Sequence, residues 1–155
     1  MPAASHDAGA TAAPEAPMLL YLIKQIELAV RARLDDLVRP AGLTALQYTA
    51  LTVLERNTDL VSAQLARRSF VTAQAMADMI TSMETRGLIE RHRDSADRRR
   101  LVIALTTLGR DLVEQHRDQV RAMEAEMLAG LSGQEIASLR YGLTACRANL
   151  AGSRD

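Results

Sequence analysis

The sequence predicts a mainly α-helical protein that carries one small β-hairpin. Three observations lead to this fold class. Apolar residues recur at spacings of three and four along most of the chain, which is the pattern of amphipathic helices. Aromatic residues make up only 3% of the 155 residues, so the core must be built mainly from aliphatic side chains and Met, as in packed helices. Residues 88–93 and 101–105 are instead two short runs rich in branched residues, which indicates a hairpin.

The N-terminal part of the chain predicts a disordered arm followed by one long helix. Residues 1–16 are mostly small residues with almost nothing to bury, so we expect no stable structure there. From residue 17 to residue 38 the apolar residues form one stripe of a helix, and Pro40 and Gly42 end it.

Three shorter helices are predicted next from their caps. Thr44 and Gln47 form a capping box that opens a helix to about Glu55. Ser62 is a candidate cap for a short helix that runs to Arg68, and Thr72 is a candidate cap for a helix from residue 73 to about residue 86. Gly87 has the position of a C-terminal cap. The side chains of the last of these helices that we expect to face inward are Met76, Met79, Ile80 and Met83.

The hairpin and two further helices complete the chain. Leu101, Ile103 and Leu105 alternate at period two and predict one buried face, while residues 94–100 form a polar tip. Thr106 or Thr107 opens a long helix to about residue 130, and a capping box beginning at Ser132 opens a last helix to about residue 150. The apolar stripe expected on the long helix is Leu108, Leu112, His116, Val120, Met123 and Met127.

Charge and cysteine content exclude several classes of protein. The formal net charge is zero, so the chain as a whole is not basic, but residues 86–100 hold six arginines against three acids. The single cysteine, Cys146, allows neither an internal disulfide nor a metal cage, and we expect a reducing compartment. No secretory signal or membrane span is seen, so a cytoplasmic protein without membrane contact is expected.

The order of these elements is the plan of a winged helix-turn-helix. The second helix of such a pair fits the major groove of DNA, and an arginine-tipped hairpin reaches the adjacent backbone or minor groove. We therefore expect residues 41–106 to be the DNA-binding lobe. Residues 17–40 and residues 107–155 carry apolar stripes too long for that lobe to cover, so we expect them to form a homodimer with reading helices about 34 Å apart.

One set of residues, in fixed order and spacing, runs from the second predicted helix into the long helix: Leu43, Thr44, Gln47, Tyr48, Leu51, Leu65, Ala66, Glu84, Gly87, Leu88, Ile89, Arg91, Asp97, Arg98, Arg99, Leu105, Thr106, Gly109 and Arg110. With this set the sequence resembles the MarR family of bacterial regulators, from about residue 18 to the last helix. The resemblance implies a homodimer that binds pseudo-palindromic double-stranded DNA, usually as a repressor, and that is often released by a small phenolic or aromatic acid. Other members sense oxidants through a cysteine near the N-terminus, a position that Cys146 does not occupy.

The predicted DNA contacts lie in the hairpin tip, the reading helix and the helix before it. The resemblance implies that Asp97 holds an arginine while Arg98 or Arg99 enters the minor groove; Ala96 stands where the family often has proline. Asp78 stands where many relatives have a basic residue, and it could brace an arginine such as Arg98 or accept from cytosine N4. Each position also has a purely structural interpretation as a cap, a dipole partner or a solvated charge. The full set is Arg67, Arg68, Thr72, Ala73, Gln74, Ala75, Asp78, Thr81, Ser82, Arg93, Asp97, Arg98, Arg99 and Arg100.

Tyr21, Tyr48 and His116 are the candidate effector-binding residues. The alternative for His116 is a satisfied core residue, and the alternative for Tyr48 is a structural role. No cofactor, metal site or catalytic residue is expected, because no metal-spaced pair, phosphate-binding glycine loop or nucleophile elbow occurs. A protein-interaction module that kept the winged fold without reading DNA is the alternative function.

Overall fold

The computed structural model describes residues 16–151 and confirms a mainly helical fold with one two-stranded antiparallel hairpin. The predicted arm at residues 1–16 falls almost wholly outside the described residues. The elements are α1 (Leu19–Val38), α2 (Ala45–Arg56), α3 (Ser62–Arg68), α4 (Ala73–Thr85), β1 (Ile89–Arg93), β2 (Leu101–Leu105), α5 (Thr107–Met127) and α6 (Gly133–Ala151), with one 3-10 turn (Arg39–Ala41) after α1.

Side-chain caps begin most of these helices. The hydroxyl of Thr44 accepts from the backbone N–H of Gln47 at 3.1 Å, and the Gln47 amide oxygen accepts from Thr44 N–H at 3.1 Å, which confirms the capping box. Thr72 caps α4 and Thr106 caps α5, each at 3.1 Å. The predicted cap at Ser62 is wrong: Ser62 is already helical, and the residue before it is the cap. A glutamine explains the shift, because the Gln64 side chain reaches back to that residue's N–H at 3.1 Å.

The core lies where α2, α3, α4 and the hairpin meet. Leu51, Leu65, Met76 and Met83 are among its fully buried side chains, and α1 and α5 contribute to it through a few residues. The left-handed Gly87, at φ 72°, ends α4 as predicted, so that Leu88 N–H reaches back to Met83 O at 2.9 Å and the chain turns into β1. This turn fixes the hairpin against the C-terminal end of α4.

The buried face of β2 differs from the prediction at one position. Leu105 pairs with Ile89 and Ile103 pairs with Arg91, and both Leu105 and Ile103 are buried. Leu101 is 39% exposed instead, because it lies opposite Arg93 at the far end of the ladder, away from the core. Val102, on the other side of the strand, is fully buried.

The stripe predicted for α5 is also only partly correct. His116 is buried as expected, but Gly109 and Val113 are the other buried residues of this helix, while Leu108 and Met127 are exposed. Leu112 and Val120 of the predicted stripe are half-buried and pack against the core. Helix α6 has no buried residue at all within the described chain.

Candidate nucleic-acid interface

A left-handed residue joins α3 to α4. Phe70 has φ 58°, and the chain around it is held by Ser69 N–H to Leu65 O at 2.9 Å and by Val71 N–H to Ala66 O at 3.1 Å. The next residue but one, Thr72, is extended and caps α4 through its hydroxyl. The two helices are therefore joined by a tight turn, as a helix-turn-helix requires.

Burial along α4 sorts its residues into two faces. Met76, Ile80 and Met83 recur at helical spacing and are buried in the core. The opposite face carries most of the predicted reading residues, and all of them but the half-buried Ala75 are exposed: Thr72, Ala73, Gln74, Asp78, Thr81 and Ser82. This face is free of tertiary cover in the described chain and carries no basic side chain.

Asp78 pairs with a neighbour on its own helix. The Gln74 amide Nε2 donates to Asp78 Oδ1 at 3.2 Å, since residues four apart stand above one another on a helix. We predicted that Asp78 could brace an arginine such as Arg98, but in the structure its hydrogen-bond partner is Gln74. Thr81 donates its hydroxyl to Ala77 O at 3.1 Å, so its proton is used within the helix.

Two aspartates organise the tip of the hairpin, residues 94–100. Asp97 Oδ1 accepts from the backbone N–H of Arg99 at 3.0 Å, and Asp94 Oδ1 accepts from Ala96 N–H at 2.9 Å. The role implied for Asp97, holding an arginine side chain, belongs instead to Asp94, whose Oδ2 accepts from Arg100 Nη1 at 2.9 Å. The reason is geometric, because the backbone N–H of Asp94 donates to Arg100 O at 3.1 Å and so places these two residues opposite each other across the turn.

The arginines of the hairpin fall into two groups. Arg100 is half-buried and also donates to Asp59 O at 3.1 Å, so it fastens the hairpin to the α2–α3 loop. Arg98 and Arg99 are exposed, and no described carboxylate forms an ion pair with either. Arg93 is exposed and donates weakly to Arg98 O at 3.4 Å. The tip thus presents two unpaired guanidinium groups on a braced backbone.

Arg67 and Arg68 end α3 and are both exposed. Arg68 donates to the side chain of Asn57, whereas Arg67 projects from the surface.

Two further arginines have structural partners that the sequence did not reveal. Arg86 follows α4 and donates to Gly42 O at 2.6 Å and to Ala41 O at 2.7 Å, so it joins the end of α4 to the turn after α1. Arg91 on β1 forms a two-point pair with Glu84, at 2.5 and 3.1 Å, which lowers the pKa of the Glu84 carboxyl. Sequence separation hid the Arg86 contact, because its partners lie more than forty residues away.

The three candidate effector residues are only partly brought together. Tyr48 and His116 are buried side by side with ring centroids 6.2 Å apart in an edge-to-face arrangement, and burial raises the pKa of Tyr48. His116 Nδ1 bonds Leu112 O at 2.9 Å, which is the satisfied core histidine given above as the alternative. Tyr21 is exposed in the first turn of α1.

Neither a metal site nor a membrane span is found in the part of the chain that the structure describes. No three metal-ligating side chains cluster among residues 16–151. No helix there is long and apolar enough to cross a bilayer.

Comparisons with known proteins agree with this geometry. Residues 41–100 match the model of the MarR family. The chain is 33% identical over 123 residues to the HTH-type transcriptional repressor Rv2887 of Mycobacterium tuberculosis, covering 79% of this chain and 88% of that protein. It superposes on MepR of S. aureus, solved as a DNA complex, with a TM-score of 0.75 and 25% identity over 86% of this chain and 96% of that one.

A third similarity concerns the fold alone. CouR of Rhodococcus jostii RHA1, solved with p-coumaroyl-CoA bound, superposes with a TM-score of 0.75 at 22% identity, covering 83% of this chain and 90% of that one. Together the relatives are regulators rather than enzymes. The chain belongs to the MarR family and is a DNA-binding transcription regulator.

Proposed function

We propose that this regulator works as a homodimer on a pseudo-palindromic operator, with α4 in the major groove and the hairpin tip in the flanking minor groove. The observation that carries the proposal is the braced tip, which leaves Arg98 and Arg99 exposed and unpaired beside an uncovered face of α4. Because α4 itself carries no basic residue, phosphate neutralisation falls to the tip, to Arg93 and to Arg67.

The dimer is supported by apolar surface that a single chain leaves exposed. Residues 17–40 and 107–155 would form the dimer interface, and residues 41–106 would form the DNA-binding lobe. A second copy is the natural cover for α6, which buries nothing within its own chain. A two-fold axis would set two reading helices one turn of duplex apart, in a bacterial cytoplasm. The exposed large apolar side chains of the terminal helices are Met18, Leu19, Leu20, Tyr21, Leu22, Ile23, Ile26, Leu28, Leu139, Tyr141, Leu143 and Leu150.

Gln74 and Asp78 are proposed to read bases as one unit. Asp78 can only accept, and its bond to the Gln74 Nε2 leaves Gln74 Oε1 as a further acceptor. Acceptors match the amino groups of cytosine N4 and adenine N6 in the major groove. The small Ala73 and half-buried Ala75 let the backbone approach the groove, and the N-terminal N–H groups of α4 suit a phosphate.

The DNA contact of the hairpin tip is tested by measuring binding to an operator selected from a random DNA pool. Replacing Arg98 and Arg99 by alanine should weaken binding and reduce the slope of log affinity against log salt by about one for each lost phosphate contact. Arg121→Ala removes an exposed arginine from α5 and is the matched control. Unchanged affinity and slope in the double variant would favour the protein-interaction module instead.

Base reading is tested by repeating the selection with Asp78→Asn. An amide can donate as well as accept, so the variant should relax or change the base preference at one position in each half-site. An identical selected sequence would show that Asp78 does not face a base.

We infer further that a small phenolic or aromatic-acid effector releases the DNA. CouR, which shares the fold, was solved with p-coumaroyl-CoA bound, and this supports the inference. The proximity of the Tyr48 and His116 rings supports these two residues as the effector site. Screening phenolic acids for release of the selected operator is the experiment. His116→Gln should abolish the response if those two rings form the site.

A further inference from the structure

One arginine joins the base of the hairpin tip to the loop that precedes the helix-turn-helix. Arg100 Nη1 donates to Asp94 Oδ2 at 2.9 Å, and Nη2 of the same guanidinium donates to Asp59 O at 3.1 Å. Asp59 lies between α2 and α3, so this guanidinium bridges a carboxylate of the tip and a carbonyl of the α2–α3 loop. We call the Asp94 carboxylate, the Arg100 guanidinium and the Asp59 carbonyl the anchor.

The backbone of the α2–α3 loop holds the hairpin at a second point. Asp59 has φ 62°, in the left-handed region that aspartate enters more readily than most residues with a side chain. Next to it, Leu60 O accepts from Ile103 N–H at 2.9 Å in an isolated antiparallel bridge to β2. Two consecutive carbonyls therefore hold the hairpin, and a swing of the hairpin away from this loop would break at least one of these bonds.

The ion pair of the anchor is shielded from water compared with the rest of the tip. The side chain of Asp94 is 13% exposed and that of Arg100 is 40% exposed. Salt screens such a partly buried pair less than it screens a surface pair, and both hydrogen bonds of Asp94 involve a charged acceptor. Both Nη groups of Arg100 are already used within the protein, unlike the exposed arginines that follow Asp97.

We propose that the anchor holds the tip so that its two exposed arginines, Arg98 and Arg99, enter the minor groove in a fixed orientation, and that Arg100 positions them without contacting DNA. The proposal rests on the proposed function and deepens it. Its physical basis is that side chains carried on an ordered backbone lose less entropy when they bind. Asp94 thus strengthens DNA binding, although the charge of an acid near phosphates opposes binding.

The sign of the effect of Asp94→Asn separates positioning from charge. The change removes a negative charge beside DNA, which by charge alone strengthens binding. Asparagine has a single side-chain oxygen, so it cannot accept from both Ala96 N–H and Arg100 as the two carboxylate oxygens do. We expect the affinity for the selected operator to fall by about fivefold, because the tip must then be ordered on binding.

Asp59→Gly is the matched control. It also removes a carboxylate, here an exposed one, but it keeps the carbonyl that Arg100 uses, and glycine adopts a φ of 62° without strain. Its affinity for the operator should not fall. Both substitutions lie away from the buried end of the hairpin, where Leu105 pairs with Ile89, so both variants should melt close to the wild type.

A second comparison tests whether Arg100 contacts DNA. In the wild-type background, Arg100→Ala should weaken operator binding by about fivefold, and adding Asp94→Asn should change little more, because both changes break one bridge. In a chain that already carries Arg98→Ala and Arg99→Ala, the anchor has no arginine left to position. Adding Arg100→Ala there should change affinity and salt slope no more than Arg121→Ala does.

Three results would overturn the positioning role. They are tighter operator binding by Asp94→Asn, a weakening by Asp59→Gly as large as that by Asp94→Asn, and a salt slope that falls by about one when Arg100→Ala is added to the double variant of the tip. The last of these would make Arg100 a phosphate contact.

Failure of the proposed function gives a different result, in which the wild type selects no operator or loses no affinity on replacement of Arg98 and Arg99. The anchor is then decided in the free chain by NMR order parameters of the backbone N–H groups of the tip. These should fall in Asp94→Asn and in Arg100→Ala and stay unchanged in Asp59→Gly. Unchanged values in the first two variants would refute the anchor itself.

Discussion

Gly109 is the point at which α5 passes closest to the hairpin. A Cβ added there would lie 2.1 Å from the backbone oxygen of Leu88 and 3.1 Å from the Leu105 side chain. Since a real Cβ essentially never comes within 3.0 Å of such an atom, an alanine must push α5 and β1 apart by about 0.9 Å. The same shift would disturb the bond from Thr106 N–H to Leu88 O, now 3.2 Å.

Two effects of opposite sign decide the stability of Gly109→Ala. Alanine is favoured over glycine within a helix by about 1 kcal/mol. Forcing a Cβ into backbone costs about 1–3 kcal/mol, and weakening the Thr106 bond costs about 1 kcal/mol more. We therefore expect a net loss of about 1–3 kcal/mol, which for a chain of this length lowers the melting temperature by roughly 3–10 °C.

The assay is thermal unfolding followed by circular dichroism, with all variants at one protein concentration because an oligomer melts in a concentration-dependent way. Ser82→Ala is the control: it lies on the exposed face of α4, and alanine is the better helix former, so its melting temperature should not fall. A Gly109→Ala protein that melts at or above the wild type would refute the steric argument.

Three further expectations concern single side chains. Arg86→Ala loses two bonds to carbonyls at an exposed site, so urea unfolding should show a loss of about 1 kcal/mol, and an unchanged midpoint would contradict the tie to the turn after α1. Phe70→Gly relieves the left-handed backbone and should raise the free energy of unfolding by up to about 1 kcal/mol; a fall would show that the ring is needed for packing. The backbone N–H and hydroxyl of Ser132 lower the pKa of Glu135, so its stabilising effect is present above the ordinary value of 4.5 and is lost as pH falls through the lower folded-state pKa. The difference in melting temperature between wild type and Glu135→Gln should accordingly change below about pH 4.5, and a constant difference from pH 6 to pH 3 would refute this role.

The features that the sequence predicts well are those settled within a few residues. The caps at Thr44, Thr72 and Thr106 each satisfy an N–H three residues away, and Gly87 ends α4 because only the local backbone decides its φ. Element order and type follow from such signals together with apolar periodicity. The exposed reading face of α4 is also predicted from the sequence, because the buried residues of this helix recur at helical spacing.

The features that the sequence predicts poorly depend on partners far along the chain. Nothing near Arg100 in the sequence shows that its guanidinium reaches Asp59 O, 41 residues away. The arginine partner implied for Asp97 belongs to Asp94 for a similar reason, since only the folded turn decides which carboxylate lies beside a guanidinium. Leu101 fits a period-two face, yet burial ends where the core ends and not where the pattern ends.

The attachments of α4 link DNA reading to α1. At its C-terminal end, Arg86 is bonded to the two carbonyls that follow α1. These bonds couple the C-terminal end of α4 to the turn that ends α1. In the proposed dimer, where α1 contacts the second copy, a rearrangement of α1 therefore moves the C-terminal ends of the two reading helices together and changes the angle at which they meet the operator.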